Sequence, residues 1–360
     1  MKPRATFVLF AAVVVSWMPA VYYGFRLWSV RDVEPSGQKE PDPAFHFVLI
    51  AQDVNNPYWR VVYRGAADAA AAHGGAVEFL GPVEANMERH IRLIERSVSA
   101  GVDGILTQGL DETTFRPVID KAIERGVPVV TIDTDAPTSK RLAYVGSDNY
   151  LAGAQAGRFM AQATGGVARI GVVTGSFEAT NMKQRLKGFE DAIRPFPGMR
   201  IVSVESSNIS RVRAIEKTAL LLNRHPEINA LFGASALDGT AMAQVVSGRG
   251  RRDVFILAFD DLPETIEWMR KGVIAATVVQ EPYRMGYDGV ELLLRAARNE
   301  RLESNYYTAT RILTAKEVSS KGPASDGADS GGTEATNADA TKIGATGAIA
   351  TDAGAADADG

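Results

Sequence analysis

Apolar runs of strand length alternate with longer helical patterns along most of this 360-residue chain. The runs begin near Phe45, recur to about Gln280, and are mostly separated by about 12 to 18 residues whose apolar positions have helical spacing. We predict strands at FHFVLIA, AVEFLG, DGILTQ, VPVVTID, ARIGVVTG, RIVSVES, INALFGA, VFILAFD and AATVVQ. Continuous apolar strands that alternate with helices are typical of parallel sheets covered on both faces. The pattern therefore predicts an α/β fold.

The alternation is interrupted once, between Asp133 and Asn149. The stretch TDAPTSKRLAYVGSDN follows the run VVTID, contains the short extended piece AYVGS and has no long helical pattern. We interpret it as a crossing between two lobes, and the length of the chain also favours two lobes over one.

Both ends of the chain differ from this pattern. Lys2 and Arg4 precede the apolar stretch TFVLFAAVVVSWMPAVYYGF, which is long enough to cross a bilayer. We predict an uncleaved anchor over residues 1–28, because Met18 occupies a position where a cleavage site needs a small residue; cleavage after Ala20 is the alternative. Residues 29–44 are charged and proline-rich, as in a linker. Residues 319–360 are predicted to be a disordered tail of Gly, Ala, Thr, Ser and Asp.

Charge and composition narrow the function classes. The formal net charge is -4, so the chain lacks a basic surface for nucleic acid, and we predict no nucleic-acid partner. The chain has no cysteine, which excludes disulfides, thiolate metal sites and a lipid-modified cysteine. The histidines are scattered without metal or triad spacing, so we predict no metal, no cofactor and no catalytic residue. These histidines are His46, His73, His90 and His225.

Polar side chains follow the carboxyl ends of most predicted strands, where ligands bind in open α/β sheets. The candidates are Asp53, Asn56, Gln108, Asp133, Asn181, Arg185, Ser235, Asp238, Asp260 and Gln280. Helix capping is the alternative explanation for Asp, Asn and Ser, whereas Gln108, Arg185 and Gln280 are poor caps. Carboxylates, amides and guanidinium groups form paired hydrogen bonds that suit the adjacent hydroxyls of a sugar.

Two aromatic residues, Tyr58 and Trp59, follow the first strand in the sequence NNPYW. Core packing is one explanation for such a pair. The other is that a ring stacks on the apolar face of a sugar while the neighbouring polar groups bind its hydroxyls. We favour stacking, and we expect neither Trp59 nor Asp260 to belong to a lobe core.

Six motifs in register give the chain a family resemblance. They are NNPYW, VVTID, GSDN, the block NMKQRLKGF, AFD and ATVVQ. In this order and spacing, residues 45 to 315 resemble the ribose-type periplasmic sugar-binding proteins. The resemblance implies two Rossmann-like lobes joined by a three-strand hinge. It places one lobe at residues 45–146 plus 281–308 and the other at residues 147–280 plus 309–318.

The resemblance also implies which residues contact the ligand, and where this chain departs from the family. The implied contact residues are Asn56, Tyr58, Trp59, Asp133, Arg185, Asp260 and Gln280. Thr134 stands where a ribose binder has an arginine, Ile209 stands where it has a third aromatic residue, and SALDG replaces an Asn-Asp pair. These departures argue against ribose itself.

Taken together, these observations predict a monomeric extracytoplasmic binding protein for a monosaccharide or related polyol. Two roles stay open: delivery of the sugar to an ABC-type importer, and ligand sensing as a co-receptor for a membrane histidine kinase or chemoreceptor. Asp133 and Asp260 could form the carboxylate pair of a glycoside hydrolase, but their setting among amides fits binding better. We therefore predict that the protein is not an enzyme.

Overall fold

The computed structural model describes residues 17–19, 22–23 and 43–320. Nearly all of the predicted anchor and linker, and the predicted tail from Lys321 onward, lie outside these residues. Within the described part of the chain, no helix is both long and apolar enough to cross a membrane.

Twelve strands and ten helices make up residues 46–320. The strands are β1 (His46–Ile50), β2 (Ala76–Leu80), β3 (Gly104–Thr107), β4 (Val129–Ile132), β5 (Ala143–Ser147), β6 (Val167–Thr174), β7 (Gly198–Ser206), β8 (Ala230–Gly233), β9 (Phe255–Phe259), β10 (Ala276–Val279), β11 (Asn305–Thr308) and β12 (Arg311–Thr314). The helices are α1 (Pro57–Ala72), α2 (Met87–Ala100), α3 (Glu112–Glu124), α4 (Asn149–Ala163), α5 (Thr180–Ile193), α6 (Arg211–Arg224), α7 (Asp238–Gly248), α8 (Pro263–Arg270), α9 (Pro282–Ala297) and α10 (Ala315–Ser320).

The strands form two six-stranded sheets with equivalent strand orders. The first sheet has the order β11-β5-β4-β3-β1-β2 and the second has the order β12-β10-β9-β8-β6-β7. All pairs are parallel except β10 with β12, which is antiparallel. This arrangement confirms the predicted two-lobed α/β architecture with parallel sheets and flanking helices. The first lobe is the first sheet with its helices, and the second lobe is the second sheet with its helices.

The chain passes between the two sheets three times. The passages follow β5, β10 and β11, so the last two strands of the chain lie in different sheets. The extended piece AYVGS is strand β5, at the first of these passages. The two short edge strands β11 and β12 were not predicted, because each has only four residues and no helix separates them.

Each sheet is covered by helices on both faces, as continuous apolar strands require. In the first lobe, α1 and α9 cover one face, and α2 and α3 cover the other. In the second lobe, α4 and α5 cover one face, and α6, α7, α8 and α10 cover the other. The strand ends are therefore the main places where these sheets can offer polar groups to a ligand.

Glycine pairs set the closest helix packing in both lobes. A Cβ atom on Gly153 of α4 would lie 2.0 Å from the carbonyl oxygen of Arg185 in α5, and one on Gly188 would lie 2.0 Å from that of Tyr150. In the first lobe, Gly65 of α1 and Gly286 of α9 have the same reciprocal relation to backbone carbonyls of the partner helix. Each helix pair therefore packs backbone to backbone, which only glycine permits at these positions.

Candidate functional site

The carboxyl ends of strands from both sheets surround a small cavity between the lobes, which we call the inner cavity. Its volume is about 40 Å³, room for two or three water molecules. The inner cavity is lined by Gln52, Asn56, Tyr58, Trp59, Gln108, Asp133, Asn181, Met182, Arg185, Ile209, Ser235, Ala236, Asp260 and Gln280. The structure thus brings together ten of the twelve residues proposed from sequence as ligand contacts.

The other two proposed residues lie close by but not in the inner cavity. Asp238 is fully buried at the start of α7, where its Oδ2 accepts a hydrogen bond from the Ser235 backbone N–H at 3.0 Å. Asp53 lies in a larger cavity of about 840 Å³, which we call the outer groove. The outer groove is lined by Asp53, Asn55, Asn56, Pro57, Val83, Glu84, Ala85, Asn208, Ser210, Arg211, Arg213, Ala236, Leu237, Thr240, Leu262, Pro263 and Glu264.

Asp133 is the centre of the polar network on the first-lobe side. Its Oδ1 accepts a hydrogen bond from the Tyr58 hydroxyl at 2.9 Å, and its Oδ2 accepts one from Gln108 Nε2, also at 2.9 Å. Thr134 Oγ1 donates to the same Oδ2 at 2.9 Å. The backbone of Asp133 has a φ of 61°, a left-handed conformation that Asp tolerates better than most residues. The turn after β4 therefore fixes the direction of this carboxylate.

Arg185 is the centre of the network on the second-lobe side. Its guanidinium donates to Asn149 Oδ1 at 2.8 Å, to the Ala234 carbonyl at 2.9 Å and to Gln280 Oε1 at 3.1 Å. The guanidinium also lies 3.9 Å from the ring centroid of Phe259. With 2% of its surface exposed, Arg185 is held by hydrogen bonds on its edge and by an aromatic face. It can therefore donate to a ligand only from a fixed orientation.

Asp260 occupies the position in the second lobe that Asp133 occupies in the first. It follows β9, has a φ of 65° and accepts a hydrogen bond from Gln280 Nε2 at 2.8 Å. Burial raises the pKa of Asp260 to about 7; Arg185 and Gln280 lower it, and the negative charges of Asp133 and Asp261 raise it. A donor hydroxyl from a ligand would favour the ionised form.

Several polar atoms around the inner cavity lack partners. Within residues 43–320, Gln108 Oε1, Ser235 Oγ and Asp238 Oδ1 are buried and make no hydrogen bond. Burial raises the pKa of Asp238 to about 7, and the hydrogen bond from the Ser235 backbone N–H acts in the opposite direction. Buried polar groups without partners are costly, so these atoms are suited to binding a polar ligand or water.

Tyr58 and Trp59 serve the core and the cavity at once. Trp59 is 3% exposed and belongs to the hydrophobic cluster beneath the first sheet, and Tyr58 packs against its edge with ring centroids 5.4 Å apart. The expectation that Trp59 lies outside the lobe core was therefore wrong. Both rings also line the inner cavity. Core packing and contact with the cavity are compatible because both rings lie in the first turn of α1, which begins at Pro57.

Helix capping accounts for part of the polar pattern at the strand ends. The Asn56 side chain caps α1 by accepting from the Tyr58 backbone N–H at 3.1 Å, and Asp111 caps α3 in the same way. Asp135 instead pairs with Arg141. The strand-end pattern thus mixes capping, structural ion pairs and groups that face the cleft.

The two lobes contact each other directly beside this network. Asn181 Nδ2 donates to Asp133 Oδ2 across the cleft at 3.2 Å, and the Thr180 backbone N–H donates to the Leu110 carbonyl at 3.0 Å. Both bonds come from the first turn of α5. This end of the cleft is therefore narrow, whereas the outer groove has a volume of about 840 Å³.

Sequence reasoning missed several residues of the site. Gln52, Met182 and Ala236 line the inner cavity, and Phe259 supports Arg185. Ser147 and Asn149 hold Gln280 and Arg185 through side-chain hydrogen bonds. The motif GSDN contains Ser147 and Asn149, so it gave a usable signal for these two, whereas nothing in the sequence marks Phe259. In the described part of the chain, no cluster of His, Cys, Asp and Glu could hold a metal ion.

Comparison with known proteins agrees with this geometry. The family model described as "Periplasmic binding protein domain" matches residues 47–301. The ribose import binding protein of Escherichia coli (strain K12) is 23% identical over 258 residues, covering 72% of this chain and 86% of that protein. The structure of GanP, a glucose-galactose binding protein from Geobacillus stearothermophilus, has a TM-score of 0.74 at 47% identity, covering 76% of this chain and 98% of GanP. A structure of the XylFII-LytSN complex has a TM-score of 0.73 at 36% identity, covering 77% and 99%.

Proposed function

Since the chain belongs to the periplasmic binding protein family, we propose that it is an extracytoplasmic solute-binding protein that closes its two lobes on a sugar or sugar-like polyol. The observation that carries this proposal is the convergence of polar side chains from both lobes on one cavity, with Tyr58 and Trp59 in its wall. A ligand that contacts both lobes favours the closed arrangement, because it binds that arrangement more tightly than the open one.

The chemistry of the inner cavity favours a hydroxylated, uncharged ligand. Asp133 and Asp260 accept hydrogen bonds and Arg185 donates them, so charges of both signs face the same space. Sugar hydroxyls both donate and accept, and they can meet all of these groups. The inner cavity is smaller than a sugar ring, so binding requires the lobes to separate and close again on the ligand. In this mechanism, a sugar hydroxyl takes the place of Asn181 on Asp133 Oδ2.

The hydrogen bonds that Asp133 and Asp260 accept favour a binding function without catalysis. Both oxygens of Asp133 accept hydrogen bonds from protein groups, which leaves this carboxylate poorly placed to act as a nucleophile or to activate water. Asp260 accepts a hydrogen bond from Gln280, which follows the neighbouring strand β10 in the same lobe. We therefore infer that the pair orients a ligand and does not cleave it.

The proposal also divides the chain into two lobes, an N-terminal anchor and a linker. One lobe comprises residues 45–146 plus 281–308, and the other comprises residues 147–280 plus 309–318. An N-terminal anchor at residues 1–28 and a linker at 29–44 hold the monomeric lobes at the outer face of the cytoplasmic membrane. Fractionation of the full-length protein tests the anchor, because an anchored chain stays in the membrane pellet after a high-pH wash and a cleaved one is recovered as a shorter soluble form.

The partner that receives the closed protein defines its role. We infer delivery of the sugar to the membrane subunits of an ABC-type importer. A second candidate is a ligand-sensing co-receptor for a membrane histidine kinase or chemoreceptor. It is favoured by the similarity to XylFII, whose structure has been solved in complex with a second protein, LytSN. Deletion of the gene separates the two roles: loss of sugar uptake indicates transport, and loss of a sugar-induced transcriptional response with normal uptake indicates sensing.

A thermal-shift screen followed by calorimetric titration tests the binding function. The panel contains D-glucose, D-galactose, D-ribose, D-allose, D-xylose and both arabinose enantiomers. A sugar present at about 100 times its dissociation constant stabilises the folded protein by roughly 2.7 kcal/mol. Arg185→Met removes the buried guanidinium and serves as the non-binding control. A panel in which no sugar raises the melting temperature would argue against the proposal.

A further inference from the structure

The outer groove adjoins the inner cavity. Both are lined by Asn56 of the first lobe and Ala236 of the second. The outer groove has a volume of about 840 Å³, which is within the range of about 300–1,000 Å³ found for small-molecule sites. A molecule that extends from the inner cavity past these two residues would therefore enter the outer groove.

The junction between the two cavities has an unusual backbone. Asn208 has a φ of 48° and Ile209 a φ of 55°, although a β-branched residue rarely adopts the left-handed region. Asn208 lines the outer groove and Ile209 lines the inner cavity. Strained backbone of this kind persists where the surrounding structure holds it in place, and it is common at ligand sites. Here the turn positions one residue toward each cavity.

The walls of the outer groove carry charges of both signs. Asp53 and Glu84 lie on the first-lobe wall, and burial raises the pKa of Asp53, with the charge of Glu84 adding to the rise. On the second-lobe wall, Arg211 and Glu264 form a bidentate ion pair. Arg213 lines the same groove. With three carboxylates and two guanidinium groups, the lining is nearly balanced in charge and does not favour a strongly charged ligand. It offers donors and acceptors to an uncharged molecule with many hydroxyls.

We propose that the outer groove is a second sugar subsite, so that the ligand is a disaccharide or another glycoside with one ring in each cavity. This inference rests on the proposed sugar-binding function and extends it. The terminal ring lies in the inner cavity between the lobes, and the glycosidic bond passes between Asn56 and Ala236. The second ring then lies between the acidic first-lobe wall and Arg213.

Calorimetric titration with paired probes tests the second subsite. The monosaccharides are D-glucose, D-galactose and L-arabinose, and the disaccharides are cellobiose, maltose, lactose, melibiose and arabinobiose. We expect at least one disaccharide to bind as tightly as its component sugar or more tightly. We expect Glu84→Gln and Arg213→Ala each to weaken that disaccharide about tenfold, the usual worth of a hydrogen bond to a charged group. Monosaccharide affinity should change less than twofold.

Matched variants outside the groove control for general effects on the fold. Arg224→Ala lies at the opposite end of the same helix as Arg213, and Glu88→Gln is an exposed change close to Glu84 in sequence. Both should leave all affinities unchanged. Monosaccharide binding without disaccharide binding overturns the second subsite and leaves the proposed function intact. An equal loss of both ligand classes in Glu84→Gln and Arg213→Ala also overturns it, and failure of every sugar to bind overturns both proposals.

Discussion

Replacing Gly153 by alanine should weaken ligand binding without touching the ligand. The added Cβ would lie 2.0 Å from the carbonyl oxygen of Arg185, whereas an ordinary contact begins at 3.4 Å. Helices α4 and α5 must therefore separate by about 1.4 Å at this point. Because α5 also carries Asn181, the shift displaces side chains that line the cavity. Misplacement of this size typically costs roughly tenfold to a hundredfold in function.

The same substitution has two opposing effects on stability. Overpacking costs about 1–3 kcal/mol, and the higher helix propensity of alanine returns up to about 1 kcal/mol. When alanine returns the full 1 kcal/mol, the net loss in the free energy of unfolding is at most about 2 kcal/mol. The matched control is Gly248→Ala at the end of α7, where nothing lies within 4 Å of the new Cβ. This control should retain wild-type affinity and gain up to about 1 kcal/mol of stability.

Two measurements on the same preparations decide the question. Urea unfolding gives the free energy of unfolding for each variant, and titration with the best sugar from the screen gives its dissociation constant. Wild-type stability and affinity in Gly153→Ala would refute the reasoning, because the helices would then have absorbed the methyl group without moving Arg185.

Three further predictions concern the site and the first-lobe core. Trp59→Ala should lower the free energy of unfolding by about 3–5 kcal/mol, because the indole is part of the core, and should also weaken sugar binding; Trp59→Phe should keep the fold, and an undiminished melting temperature in Trp59→Ala would contradict the core assignment. Asp260→Ala should weaken sugar binding by roughly 2–4 kcal/mol while the protein stays folded, since the change leaves ligand hydroxyls without an acceptor; unchanged affinity by calorimetry would place the ligand elsewhere. Burial lowers the pKa of His90 from 6.5 to about 3. The folded protein therefore keeps its full stability above pH 6.5 and loses stability as the pH falls toward 3, because the unfolded chain binds a proton at this histidine first. The total loss from this one group is about 5 kcal/mol. His90→Gln should remove this loss from urea unfolding measured between pH 7 and 4, and an identical pH slope in both proteins would show that His90 does not titrate in this way.

The periodicity of the sequence was sufficient to predict the fold, because buried parallel strands are continuous apolar runs and nearly every run lies between helical patterns. The edge strands β11 and β12 were not predicted, because each pairs on one side only. Their residues are partly exposed and include both polar and apolar types. Their pairing depends on where the last passage between lobes ends, and local sequence does not encode that position.

The candidate site was predictable to the extent that its residues follow strands. Asp133, Asp260 and Gln280 were found because each directly follows an apolar run, whereas Phe259 was missed because it is the last residue of such a run and looks like core. The sequence also could not separate stacking from packing for Trp59, since this ring both belongs to the core and lines the inner cavity. Nor could it show that Asp135 has Arg141 as its partner, because that pairing depends on the turn between them.

Gln280 connects the lining of the inner cavity to the passages between the two lobes. Its Oε1 accepts hydrogen bonds from Ser147 at 2.8 Å and from Arg185, and its Nε2 donates to Asp260. Ser147 and Gln280 lie on two of the three passages between the lobes, so the residue that touches the cavity also ties the hinge together. Under the proposed closure of the lobes on a ligand, a substitution there that admits a new ligand alters the ease of closure as well. During evolutionary divergence, changes in ligand preference should therefore accumulate at positions that contact the cavity without touching the hinge, such as Ile209 and Ala236.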